Sequence, residues 1–92
     1  MPKKEMKAPT PLEGAIALHL ATTSDMATIG ERLQYILDSV RKTLENKLIS
    51  LAEVRAVIES WVSRKWVALT KNYVLLTDTG RHQITSIANA VA

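Results

Sequence analysis

The 92-residue chain has no cysteine and no phenylalanine, and its only aromatics are two Trp and two Tyr. Without cysteine there is no disulfide framework and no thiolate metal site. Two lone histidines, His19 and His82, are too few for a structural zinc centre, so neither a metal nor a cofactor is expected. No apolar run approaches the roughly 18 to 20 residues that cross a bilayer, which excludes a spanning helix. The basic start Met1–Lys7 leads into Ala-Pro-Thr-Pro, not into the apolar block of a signal peptide. There is no Cys–His or Ser–His–Asp arrangement, no Gly-rich phosphate loop and no run of carboxylates at metal spacing, so an enzyme is not expected. These absences point to a cytoplasmic protein with no membrane partner.

What is present is globular. A chain that is 47% hydrophobic and 23% charged is too apolar for a disordered segment, and its length suits one domain. Leu, Ile, Val and the two Trp must build the core. Charge is uneven along the chain: residues 1–40 hold four basic against five acidic groups, and residues 41–92 hold eight basic against four acidic. Three lysines, Lys3, Lys4 and Lys7, crowd the first seven residues. A basic half and a basic tail are what a polyanionic partner requires, although a solvated surface also accounts for an imbalance of this size.

Residues 1–9 read as a flexible basic tail and 10–92 as a single domain. Thr10-Pro11 opens a helix, with Thr as N-cap and Pro at the first helical position, running to about Thr22 on Leu12, Ile16 and Leu20. Ser24 or Asp25 caps a second start. Ile29, Leu33, Ile36, Leu37, Val40, Leu44 and Leu48 then hold one helical face, either as one helix over about 26–46 or as two pieces broken near Asp38-Ser39. Gly30 reads as a weak interior position of that helix. Ser50-Leu51-Ala52-Glu53 has the spacing of a capping box, opening a helix over about 50–64 with Leu51, Val54, Ile58 and Trp61 inward. The period then shifts to two. Trp66–Thr70 and Tyr73–Thr77, separated by Lys71-Asn72, read as an antiparallel hairpin, with Asn tolerating the left-handed conformation of a tight turn. Asp78-Thr79-Gly80 ends it, and a last helix follows from about Arg81 with Ile84, Ile87 and Val91 on one side. Trp61 and Trp66 are expected to pack in the core and hairpin, and His19 to be a partly buried, hydrogen-bonded residue.

The order of elements and the wording of residues 50–81 resemble the winged helix-turn-helix domains of bacterial and archaeal regulators. The likeness rests on Ser50–Val62, on Ser63-Arg64-Lys65-Trp66-Val67-Ala68-Leu69, and above all on Leu76-Thr77-Asp78-Thr79-Gly80-Arg81. It covers roughly the last 45 residues well and the first 40 in outline. Two departures stand out: Lys65 occupies a place where such domains often have Gly, and the wing tip is only Lys71-Asn72. The resemblance implies an α+β fold, mostly helical, with a C-terminal two-stranded wing followed by a last helix. It also implies transcription regulation through duplex DNA, with the helix at about 50–64 in the major groove and the 66–77 hairpin as wing.

On that reading the DNA-binding residues are Lys42, Lys47, Ser50, Arg55, Lys71, Asn72 and Tyr73. Arg55 is the candidate for a bidentate guanine contact, and Ser50 for a phosphate bond at a helix N-terminus. The lysines, Asn72 and Tyr73 would straddle the backbone. A homodimer is expected, because one short reading helix covers few base pairs, and the first and last helices supply its surfaces. The alternative is a protein–protein interaction module. Ala52, Ala56, Ser60 and Ser63 form a small-residue outer strip, and Glu53 and Glu59 bring negative charge to the side where phosphates would approach.

Overall fold

The computed structural model describes residues 9–23 and 30–91; residues 1–8, 24–29 and 92, and the side chain of Val91, lie outside that description. The elements are α1 (Pro11–Thr22), β1 (Glu31–Arg32), α2 (Leu33–Thr43), α3 (Leu51–Ser63), β2 (Val67–Thr70), β3 (Tyr73–Leu76) and α4 (Asp78–Val91). The result is an α+β arrangement, mostly helical, with a three-stranded antiparallel sheet in the order β1-β3-β2. Residues 1–8 of the expected tail, and the expected start at Ser24 or Asp25, lie outside the described residues.

Helices α1 and α3 begin on reciprocal caps. The Thr10 hydroxyl accepts from Glu13 N–H at 3.1 Å while Glu13 accepts from Thr10 N–H at 2.9 Å. Ser50 and Glu53 repeat the pattern at 3.2 and 2.9 Å. In each case two amides that helix geometry leaves orphaned are satisfied by side chains. Helix α2 has no side-chain cap. Its first amide, Leu33 N–H, is taken instead by the Asn72 carbonyl at 2.7 Å, so the start of α2 depends on the hairpin.

That dependence corrects the reading of residues 26–46. Glu31-Arg32 is a strand paired with β3, Glu31 opposite Val74 and Arg32 opposite Tyr73, so the sheet has three strands, not two. Gly30 is not inside a helix: its φ is +76°, and a Cβ there would stand 2.6 Å from the Val74 carbonyl oxygen. Helix α2 runs unbroken through Asp38-Ser39, and Leu33, Ile36, Leu37 and Val40 bury its inner stripe. Leu48 is on no helical face; it lies in the turn before α3 and is 89% exposed.

The core joins Ile16 and Leu20 of α1, the α2 stripe, Val54, Ile58 and Trp61 of α3, Val67, Val74 and Leu76 of the sheet, and Ile84 and Ala88 of α4. Trp61 is buried and Trp66 packs partly buried against it, ring centroids 6.4 Å apart. Leu51, expected inside, is 38% exposed. Ile84 is fully buried and Ile87 packs partly buried on the core, so these two residues of the expected dimer surface are engaged within the chain; the third, Val91, has its side chain outside the described residues. Helix α4 starts at Asp78, earlier than expected, on a Thr77 hydroxyl that accepts from Gly80 N–H at 2.9 Å. Two lysines take left-handed backbone: Lys65 at the exit of α3, with φ +66°, and Lys71 in the hairpin turn, with φ +56°. The latter position had been expected at Asn72.

His19 is partly buried and bridges three elements. Its Nδ1 meets Ser39 Oγ at 2.8 Å and its Nε2 meets the Glu31 carboxylate, joining α1 to α2 and β1.

Candidate nucleic-acid interface

Helix α3 buries Val54, Ile58 and Trp61 and leaves Ala52, Glu53, Ala56, Glu59, Ser60 and Ser63 exposed. The 3.6-residue period produces this division directly. Arg55 lies at the border of the outer face. Its Nε donates to Glu59 at 3.2 Å, and its Nη1 donates to the Asn72 side-chain oxygen at 3.4 Å. The second contact brings the hairpin tip to the helix. Lys71 and Tyr73, flanking Asn72, are exposed, Tyr73 at 42%. Arg55, Lys71, Asn72 and Tyr73 therefore share one region.

Ser50 is committed to the cap. Its hydroxyl accepts from Glu53 N–H at 3.2 Å and lies 3.1 Å from the Glu53 carboxylate, so a phosphate contact would compete with those bonds. The same contacts fix the position of the Glu53 carboxylate without removing its charge from the exposed side. Glu53 is folded back on Ser50, whose backbone N–H and hydroxyl hold its carboxyl below the ordinary carboxylate range. Glu59 is neutralised in part by Arg55.

Lys42 and Lys47 belong to a second cluster. Lys42 is in the last turn of α2, where a cation favours the helix dipole. With Arg41, Glu45 and Lys47 it lines a shallow open depression. The turn itself is set by local bonds: Arg41 Nε donates to the Ile49 carbonyl at 2.8 Å, and Asn46 Oδ1 accepts from Leu48 N–H at 2.9 Å. Among the described residues no hydrogen bond or ion pair links this cluster to Arg55.

Arg32 was not among the residues expected at the site. It is exposed and pairs in register with Tyr73, adding a cation beside the hairpin. The signal that could have found it is Gly30, because a glycine held at positive φ ends one element and starts another. Among the described residues no group of three or more metal-ligating side chains occurs, and no helix is long and apolar enough to cross a membrane. Compared with protein-family models, curated proteins and solved structures, the chain matches none.

Proposed function

We propose that the chain is a winged-helix module that binds duplex DNA, with α3 in the major groove, the β2–β3 hairpin as wing, and transcription regulation as its role. The observation that supports this reading is the contact between Arg55 of α3 and Asn72 at the hairpin tip. It makes helix and hairpin one continuous face with Arg32, Lys71 and Tyr73 around it. Capping bonds hold the Glu53 carboxylate beside Ser50 at the start of α3. Arg55 reads a guanine edge, while Lys71 and Tyr73 meet phosphates and the sugar backbone. Lys42 and Lys47 hold a neighbouring phosphate run. Binding as a homodimer would double the base pairs read.

The test is binding to duplex DNA at two salt concentrations. Affinity should fall steeply with salt, and Lys71→Ala should reduce the slope by about one. Arg55→Ala should weaken specific binding by roughly 1–3 kcal/mol. Binding unmoved by either substitution rejects this face as the interface.

A second reading, a protein–protein module, is favoured by one observation. Leu48 at 89% and Leu51 at 38% exposure adjoin the strip Ala52, Ala56, Ser60 and Ser63. Apolar side chains beside a smooth strip fit the close approach of another polypeptide. Capture of a protein partner that Ala56→Arg abolishes, together with absence of salt-dependent DNA binding, would decide for it.

A further inference from the structure

We propose that Arg55, Glu59 and Asn72 form a single reading unit for guanine beside cytosine, an inference that rests on the duplex-DNA reading above. Free arginines on a helix surface sample many rotamers, and binding must then order them at an entropic cost. Arg55 is held from two sides: Glu59 takes its Nε and Asn72, from a different element, takes Nη1. The remaining guanidinium N–H groups stay available, and the two terminal nitrogens match guanine O6 and N7. Asn72 is therefore a positioning residue, acting on DNA through Arg55.

Glu59 has a different part. It is half exposed, with 58% of its side chain accessible, and one of its oxygens accepts from Arg55. A carboxylate in the major groove meets acceptors on guanine and thymine O4, and it is repelled by phosphate. It is matched by an exocyclic amino group, which cytosine N4 offers without the N7 acceptor that stands beside adenine N6. Its negative charge, which argues against indiscriminate phosphate binding, is what makes the face selective. Ala52 and Ala56, one turn apart on the same exposed side, leave room for the approach and suit thymine methyl groups at the flanking positions.

The test uses the full chain and a pool of randomised duplexes, with binding to the enriched sites then measured at two salt concentrations. The wild-type chain is expected to enrich sites with an invariant guanine next to cytosine. Arg55→Lys, which keeps the charge and loses the planar fork, should cut discrimination at the guanine by about tenfold or more while leaving the salt slope in place. Asn72→Ala should weaken the same guanine preference by a smaller factor, and Glu59→Gln should relax the choice at the cytosine. Sites whose guanine preference survives both Arg55→Lys and Asn72→Ala overturn the inference while DNA binding stands. So does salt-dependent binding with no base enriched, which makes Arg55 a phosphate contact. Absence of salt-dependent binding removes the DNA reading itself, and the reading unit with it.

Discussion

The backbone of Gly80 lies against that of Trp66 so closely that a Cβ at Gly80 would stand 1.8 Å from the Trp66 carbonyl oxygen. The same carbonyl accepts from Thr77 N–H at 3.1 Å and from the Thr77 hydroxyl at 2.8 Å. The entry to β2, the end of β3 and the start of α4 thus meet at one point. Gly80→Ala should therefore cost about 3 kcal/mol, because the obstacle is backbone and not a flexible side chain. The shift of the urea unfolding midpoint at unchanged slope measures it. A wild-type midpoint would show that α4 moves aside freely.

Gly30→Ala combines a left-handed φ of +76° with a Cβ 2.6 Å from the Val74 carbonyl oxygen. The expected loss is about 2 kcal/mol. Because β1 leads directly into α2, the amide of Leu33, bonded to Asn72, should exchange with solvent faster in this variant. Hydrogen exchange at that one amide separates the local effect from general destabilisation.

His19→Ala removes the link from α1 to both Ser39 and Glu31. Leaving two partly buried polar partners without it should cost roughly 1–3 kcal/mol. A double-mutant cycle with Glu31→Gln should return a coupling of about 1 kcal/mol, and zero coupling would mean the pair does not hold β1 to α1.

Ser50→Ala should destabilise the chain by about 1 kcal/mol through loss of the α3 cap. Glu53 adds a pH dependence. Its folded-state pKa lies below the ordinary glutamate value of 4.5, so the native state binds the proton less readily than the unfolded chain. Its contribution is fully present above that value and is lost as pH falls through the lowered folded pKa. Unfolding free energy followed from pH 7 into that acid range should decline more in the wild type than in Glu53→Gln. Equal declines would assign the acid sensitivity to other carboxyls.

Much of this architecture is local and hence visible in the residues. Thr10 ahead of Pro11, and Ser50 three residues before Glu53, act within one turn, so residue type and spacing alone mark the helix starts. Val54, Ile58 and Trp61 recur at the helical period, and Trp66–Thr70 with Tyr73–Thr77 alternate at the strand period. His19, set between Leu18 and Leu20, reads as partly buried for the same reason. The third strand was not legible, because Glu31-Arg32 has no strand-like pattern of its own. Its hydrogen bonds go to β3, more than forty residues further along the chain. Apolar residues from Ile29 to Leu48 suggested one helical stripe, yet Leu44 caps α2 and Leu48 faces solvent. Periodicity in a short window does not distinguish a residue that points inward from one that merely falls in step.

The candidate site divides in the same way. Residue type and spacing alone placed Arg55 on the outer flank of a capped helix and Lys71-Asn72 at a hairpin tip, since each follows from contacts within one element. That Asn72 reaches Arg55, that Arg32 stands beside Tyr73, and that Ile84 is spent inside the core were decided only when the elements packed. Local hydrogen bonds and side-chain period act over a few residues and are written in the order of the chain. Contacts between α3, β1, β3 and α4 depend on distances that no stretch of sequence carries by itself.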